Sequence, residues 1–106
     1  EGMFYENVIS QMLVANGHRL FFYTKYNEEK HRNDIEIDFL MSNNSKLKYK
    51  VYPIEVKSND RYTIKSLQRF EERFRQRIGG CYVIHPKNLK VDGNTVFIPA
   101  YMTFCL

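Results

Sequence analysis

The stretch Pro53-Ile54-Glu55-Val56-Lys57-Ser58 is the part of the sequence that decides the fold. Apolar and charged side chains alternate through it, and together with the β-branched and aromatic residues before it they predict a strand over residues 49–57. Apolar side chains at helical spacing follow in residues 63–78, and residues 81–85 form a short apolar run. A strand–helix–strand segment of this length normally joins two parallel strands through a right-handed crossover, so the sequence predicts a mixed sheet.

The helix expected over residues 63–78 has a signal at each end. Thr63 is the expected N-cap, because its hydroxyl can accept a backbone N–H of the first turn, and Gly79-Gly80 is the expected stop. The apolar residues form one stripe of roughly 120°, which predicts a packing face. The stripe consists of Ile64, Leu67, Phe70, Phe74 and Ile78.

The remaining elements are predicted from periodicity and turn residues. A first helix is expected over residues 3–16, because apolar side chains from Phe4 and Tyr5 to Leu13 recur on one face and Asn16-Gly17 supplies the left-handed stop. Other expected segments are strands over 20–26 and 35–41, a turn at 42–45, a turn at 92–94, and extended chain over 95–98 and 101–106. The predicted class is α/β, with a mixed sheet flanked by helices.

Length and composition indicate a single domain over residues 1–106, with 43% apolar and 26% charged side chains. The start of the chain directly on a helical pattern predicts a domain cut from a longer polypeptide. No long apolar run predicts a membrane span, so the chain is expected in the cytoplasm, and no glycine-rich motif predicts a nucleotide site. Cys81 and Cys105 are expected to be reduced core residues, and the three histidines to be structural or exposed.

Two predicted strands bring charged side chains to one surface. In residues 34–40 the alternation places Ile35, Ile37 and Phe39 on one face and Asp34, Glu36 and Asp38 on the other. In the next strand Glu55 and Lys57 share a face. We therefore expect Asp38, Glu55 and Lys57 to lie together, with Glu6 of the first helix near the edge of its apolar stripe and able to complete the site.

Clustered acids repel one another unless a cation lies among them, and carboxylate oxygens suit Mg²⁺ or Mn²⁺. With a lysine nearby, such a site could hydrolyse a phosphodiester bond, since the metal and the lysine both stabilise charge that develops on phosphorus. The alternative interpretation of the same residues is a solvated face of the sheet.

Several motifs together resemble a known family. These are Glu6-Asn7, residues 36–40, residues 53–58, Ser66-Leu67-Gln68-Arg69-Phe70 and Ile98-Pro99-Ala100-Tyr101. They look like the C-terminal domain of unknown function found in many prokaryotic AAA+-type ATPases, which is similar to the PD-(D/E)XK nuclease superfamily. The resemblance covers nearly the whole chain.

The resemblance implies a restriction-endonuclease-like αβββαβ core. It also implies Asp38 and Glu55 as metal ligands, Lys57 as the catalytic lysine and Glu6 as an acid from the first helix. Ile37 stands where the superfamily's name expects proline. A hairpin in which Asp38 faces Glu55 has its midpoint between Lys46 and Leu47, so a loop longer than two residues, or a bulge, is expected.

The net charge of +4 and a basic series on the second helix favour a polyanionic partner. The series recurs every fourth residue, with Arg61 and Arg75 nearby, and consists of Lys65, Arg69, Arg73 and Arg77. Phosphate contact is one interpretation, and a solvated helix face is the other. At the level of the domain, the alternatives to a nuclease are a non-catalytic module that binds nucleic acid or protein, and a regulatory domain that docks on its parent ATPase in cis. The sequence does not indicate an oligomeric state.

Overall fold

A computed structural model describes residues 2–42, 50–59 and 61–106 of the chain. Its elements are α1 (Gly2–Ala15), β1 (Leu20–Asn27), β2 (Arg32–Ser42), β3 (Val51–Val56), α2 (Lys65–Arg73), a 3₁₀ turn (Arg75–Arg77), β4 (Cys81–His85), β5 (Lys90–Asp92), β6 (Thr95–Pro99) and a second 3₁₀ helix (Ala100–Cys105). Ser42, the first residue of the expected turn at 42–45, is the last residue of β2. Residues 43–45 of that turn, the strand start at Tyr49 and the packing of the Phe4 and Tyr5 side chains lie outside the described residues.

The described strands form one mixed six-stranded sheet in the order β1-β2-β3-β4-β6-β5. The antiparallel pairs are β1 with β2, β2 with β3, and β5 with β6, whereas β3, β4 and β6 run parallel. Helix α2 connects the parallel strands β3 and β4, which confirms the predicted α/β class, the mixed sheet and the order of one helix, three strands, one helix and a strand.

Helix α1 ends where the sequence predicts. Gly17 has φ of 90°, a left-handed conformation that glycine adopts without steric cost, and the His18 amide donates back to the Leu13 carbonyl at 3.2 Å. Ile9 and Leu13, four residues apart, are buried at 2% and 0% exposure. The helix therefore packs through the apolar side chains that predicted it.

Two apolar clusters form the core. The cluster that includes α1 contains Ile9, Leu13, Phe39, Met41, Ile54, Val56, Ile84 and Ile98. The cluster that includes α2 contains Ile35, Ile37, Leu67, Phe70, Ile78, Cys81, Val83 and Phe97. Neighbouring residues of β4 divide between the clusters, with Val83 in one and Ile84 in the other, because successive side chains of a strand point to opposite faces.

A β-bulge in β2 interrupts the expected alternation of its side chains. Phe39 packs in the α1 cluster, whereas Ile35 and Ile37 pack in the α2 cluster, so the prediction of one shared face was wrong. Tyr23 pairs with Ile37 and Phe21 with Leu40, which gives β2 one extra residue across from Phe22. The extra residue shifts the phase of the strand, and the bulge lies at Asp38–Phe39.

The second helix is shorter than predicted. It begins at Lys65, and Ile64 occupies the N-cap position without a side-chain hydrogen bond, so the assignment of Thr63 as the N-cap was wrong. The α-helix ends at Arg73 because the chain returns to the sheet: Ile78 bridges Val51, and the Gly79 amide donates to the Val51 carbonyl at 3.0 Å. Tertiary pairing thus outweighs the helical periodicity of residues 74–78.

The end of the chain also differs from the prediction. Residues 101–106 were expected to be extended, but Ala100–Cys105 form a 3₁₀ helix. Thr103 is fully buried, and Ala100 and Leu106 pack against the α1 cluster, which is the three-residue period of a 3₁₀ helix. Strand β5 was missed because all three of its residues are exposed.

Both cysteines are free thiols, as expected, but only Cys81 is in the core, and Cys105 is exposed. Within the part of the chain that the structure describes, no helix has the length and apolar character needed to cross a membrane.

Candidate functional site

The candidate site lies where β2 and β3 stop pairing. The antiparallel ladder runs from Ser42 opposite Val51 to Phe39 opposite Ile54, so the next pair in register is Asp38 and Glu55. At that pair the backbone amides donate to side-chain carboxylates instead of to the carbonyls of the opposite strand. The Asp38 amide donates to Glu55 Oε1 at 3.1 Å, and the Val56 amide donates to Asp38 Oδ2 at 2.7 Å. Each strand thus supplies a carboxylate that holds the backbone of the other.

Lys57 lies beside this pair. Its ammonium group is 3.3 Å from Glu55 Oε2, and its backbone amide donates to the Ile84 carbonyl at 2.8 Å. Glu55 is only 4% exposed. Burial first, and then the negative charge of Asp38, raises the pKa of Glu55 to about 7, against the lowering effect of Lys57.

The other two acids are also perturbed. Burial raises the pKa of Asp38, although the hydrogen bond from the Val56 amide and the charge of Lys57 oppose the change. Burial also raises the pKa of Glu6, and the charge of Asp38 and a hydrogen bond to its carboxylate raise it further. Helix α1 therefore brings Glu6 close enough to Asp38 for the two carboxyl groups to interact.

Two clefts share Lys57 and Thr63. The acidic cleft has a volume of about 300 Å³ and is lined by Glu36, Asp38, Glu55, Lys57, Thr63, Lys65 and Ser66. The Arg61 cleft has a volume of about 280 Å³ and is lined by Glu6, Val56, Lys57, Ser58, Asn59, Arg61, Tyr62 and Thr63. The four residues expected to form the site, Glu6, Asp38, Glu55 and Lys57, thus line two adjoining clefts.

The carboxylates suit a hard cation in their chemistry but offer few ligands. No three or more His, Cys, Asp and Glu side chains among the described residues are arranged to hold a metal ion. Asp38 and Glu55 supply two carboxylates. This number suits Mg²⁺, which is commonly bound through one or two carboxylates with waters completing its octahedral shell. Because Lys57 lies against Glu55 Oε2, a cation on that oxygen would require the ammonium group to move.

Only three of the four residues in the expected basic series lie on α2. Lys65, Arg69 and Arg73 are exposed on α2, but Arg77 lies beyond it in the 3₁₀ turn, so the placement of all four on one helix was wrong. Lys65 lines the acidic cleft, while Arg69 and Arg73 line a groove with Lys25 and Lys30. We call Lys25, Lys30, Lys65, Arg69 and Arg73 the basic face.

Sequence reasoning missed several residues that support the site. The Glu36 amide donates to Ser66 Oγ at 3.2 Å, and Arg69 donates to the Asp34 carbonyl at 2.9 Å, so α2 holds β2 beside the acidic cleft. His85, one of three histidines without a recognisable motif, is buried and hydrogen-bonded to Tyr62. No local pattern indicates these contacts, because each joins residues at least 23 positions apart.

Comparison with known proteins identifies a family but no activity. The family model described as "Domain of unknown function (DUF4143)" matches residues 1–103. No curated protein matches the chain, and no solved structure matches it.

Proposed function

This chain belongs to DUF4143, a family of domains of unknown function, and we propose that its acidic cleft is the site of a metal-dependent nuclease-like domain that hydrolyses phosphodiester bonds of DNA or RNA. One observation carries the proposal: Asp38 and Glu55 face each other where β2 and β3 separate, with Lys57 next to Glu55. The resemblance of the sequence to the PD-(D/E)XK superfamily and to a restriction-endonuclease-like core supports it. The same resemblance supports the further proposal that the domain belongs to the C-terminal part of an AAA+-type ATPase.

In this proposal Asp38 and Glu55 are the metal ligands. When bound, Mg²⁺ or Mn²⁺ acts as a Lewis acid on the phosphate. Lys57 adds a positively charged donor that can contact a phosphate oxygen once it leaves Glu55. Glu6 can hold a proton next to Asp38, and a neutral Glu6 adds no negative charge to that of Asp38 and Glu55.

The electrostatics of the acids support a cation at this position. Burial raises the pKa of Glu6, Asp38 and Glu55. The charge of Asp38 raises the pKa of Glu6 and Glu55 further, and the charge of Glu36 does so for Asp38. Lys57 compensates only part of this charge. A divalent cation would relieve the rest, and metal binding would in turn favour the deprotonated carboxylates.

The basic face supports nucleic acid as the substrate. Lys65 lines the acidic cleft itself, and Arg69 and Arg73 follow it along α2. Lysine and arginine side chains that contact phosphates supply most of the sequence-independent affinity for nucleic acid. A strand held on this face would thus lead into the acidic cleft.

A cleavage assay tests the proposal. The domain is incubated with Mg²⁺ or Mn²⁺ and single-stranded, duplex or branched DNA, or RNA. We expect cleavage that Asp38→Asn and Lys57→Ala each reduce by several orders of magnitude, whereas Asp92→Asn, an exposed acid in β5, leaves it unchanged. Asp38→Asn should retain or improve nucleic-acid binding, because it removes a negative charge, and Lys57→Ala should weaken binding modestly.

A second candidate function is a non-catalytic binding module, and one observation favours it. Asp38 and Glu55 already accept backbone amides, and Glu55 also pairs with Lys57, so these carboxylates have partners without a metal. A domain that binds nucleic acid through the basic face but cuts no substrate would have this function. A domain that neither cuts nor binds would instead be assigned the third role, docking on its parent ATPase in cis.

A further inference from the structure

The Arg61 cleft has the composition of an anion site. Lys57 and Arg61 carry positive charge, and Ser58, Asn59 and Thr63 offer neutral hydrogen-bond donors. Glu6 is the one acid that lines it among the described residues.

A buried histidine fixes one wall of this cleft. His85 is 2% exposed, and its Nε2 lies 2.9 Å from the Asn88 carbonyl, which can only accept a hydrogen bond. In the neutral ring Nε2 therefore carries the hydrogen, and Nδ1 accepts the Tyr62 hydroxyl at 2.9 Å. Because Phe97 packs against the imidazole, with ring centroids 5.7 Å apart, Tyr62 is attached to the core.

The hydrogen bond between Tyr62 and His85, which we call the tether, also restrains the backbone beside Arg61. Tyr62 follows Arg61 directly, and Lys57 is bonded through its amide to Ile84, the residue before His85. Strand β4 therefore holds Lys57 and Tyr62, two of the residues that line the cleft. Residues whose backbone is restrained in this way lose less chain entropy when they bind a ligand.

We propose that the Arg61 cleft binds a phosphate group of the nucleic acid, next to the phosphodiester in the acidic cleft. This inference rests on the proposed function, because it assigns a second phosphate subsite to the same substrate. The Arg61 guanidinium provides paired donors that match two phosphate oxygens, and hydroxyl and amide groups complete the contacts. Since Lys57 lines both clefts, it lies between the two phosphates. The phosphate is either a monoester at a strand end or a diester within the strand.

Binding without metal tests the proposal. The affinity of the domain for a short single strand is measured in excess EDTA, with a 5′-phosphate, a 3′-phosphate, two hydroxyl ends or a circle of the same sequence. Arg61→Gln should weaken binding about tenfold and reduce the salt slope by about 0.7, the value for one neutralised phosphate on a single strand. Arg19→Gln, an exposed arginine that lines none of these clefts, is the matched control and should change neither quantity.

The four ligands distinguish the two sources of phosphate. If the cleft binds a monoester, one phosphorylated strand binds more tightly than the hydroxyl strand and the circle, and Arg61→Gln removes the preference. If it binds a diester, Arg61→Gln weakens all four ligands alike. The proposal is overturned if Arg61→Gln and Arg19→Gln behave identically on every ligand.

Tyr62→Phe tests the tether with a change of a single oxygen. Losing the hydrogen bond to His85 should weaken the Arg61-dependent part of binding several-fold, while Arg61→Gln in the same background should then have a smaller effect. Because no metal is present, failure of the proposed catalysis leaves these results unchanged. Conversely, cleavage that persists without any effect of Arg61→Gln overturns the phosphate subsite alone.

Discussion

Asp38 and Glu55 are joined through the backbone of each other's strands: the Asp38 amide donates to Glu55, and the amide that follows Glu55 donates to Asp38. These two hydrogen bonds hold two carboxylates together at a site where burial and repulsion disfavour their charges. The fold therefore stabilises an arrangement of charge that is unfavourable by itself. This relationship leads to predictions for metal and for pH.

Divalent cations should stabilise the domain through Asp38. If Mg²⁺ binds with a dissociation constant on the order of 1 mM, about 10 mM Mg²⁺ adds roughly 1.4 kcal/mol to the free energy of unfolding. For a domain of this size the melting temperature should rise by about 4 to 8 °C. Thermal unfolding followed by circular dichroism, with and without Mg²⁺ or Mn²⁺, measures the shift. Asp38→Asn should remove it and Asp92→Asn should keep it, and an undiminished shift in Asp38→Asn would place the cation elsewhere.

Without metal, stability should fall as pH rises through the titration of Glu55. The folded-state pKa of about 7 lies above the ordinary value of 4.5, so the folded domain binds this proton more tightly than the unfolded chain. The resulting stabilisation is complete below about pH 4.5 and is lost as pH rises through about 7, with a magnitude on the order of 3 kcal/mol. Raised pKa values of Asp38 and Glu6 act in the same direction.

Urea unfolding between about pH 5 and pH 8 measures this dependence, since the slope of stability against pH gives the difference in bound protons. Glu55→Gln should flatten the profile, and saturating Mg²⁺ should flatten it in the unsubstituted domain. Glu28→Gln, an exposed acid, is the control that should leave the profile unchanged. Equal profiles for Glu55→Gln and Glu28→Gln would contradict the assignment of the raised pKa to Glu55.

Charge reversal on the basic face should weaken nucleic-acid binding whether or not the domain cuts. Arg73→Glu is preferable to Arg69→Glu, because the Arg69 guanidinium also donates to the Asp34 carbonyl and supports β2. Every duplex phosphate that the variant no longer neutralises should lower the salt slope by about 0.9, as measured by fluorescence anisotropy over a series of salt concentrations. Arg19→Glu should reduce affinity much less. If the two variants have equal effects, affinity depends on net charge and not on this face.

Gly79 should not tolerate a side chain. A Cβ at this position would lie 2.4 Å from the Tyr52 ring, which packs against the α1 cluster, whereas a Cβ at Gly80 would lie 3.7 Å from its nearest neighbour. Gly79→Ala should therefore lower the free energy of unfolding by about 1 to 3 kcal/mol, the usual cost of overpacking. Gly80→Ala is the matched control. Equal unfolding midpoints in urea would show that the Tyr52 ring moves aside without cost.

Part of the site could be predicted, because adjacent strands that each carry an acid on one face indicate that Asp38 and Glu55 lie together. That arrangement requires a hairpin midpoint between Lys46 and Leu47, and the observed pairs of Phe39 with Ile54 and Met41 with Tyr52 have this register. The bulge at Asp38–Phe39 could not be placed, because the phase of β2 changes only through its pairing with Tyr23 and Phe21 of β1. The roles of the four acidic and basic residues of the site remain predictions.

The sequence by itself determined which segments become helices and strands in most of the chain, because apolar periodicity and glycine stops act over one or two turns. It also indicated that acidic residues of β2 and β3 meet on one surface. Only the tertiary structure decided where α2 ends, since Ile78 must reach Val51, and that Ala100–Cys105 coil against α1 instead of extending. It also decided that Tyr62 meets His85, 23 positions away. Contacts between distant residues depend on packing geometry, and local patterns carry no information about them.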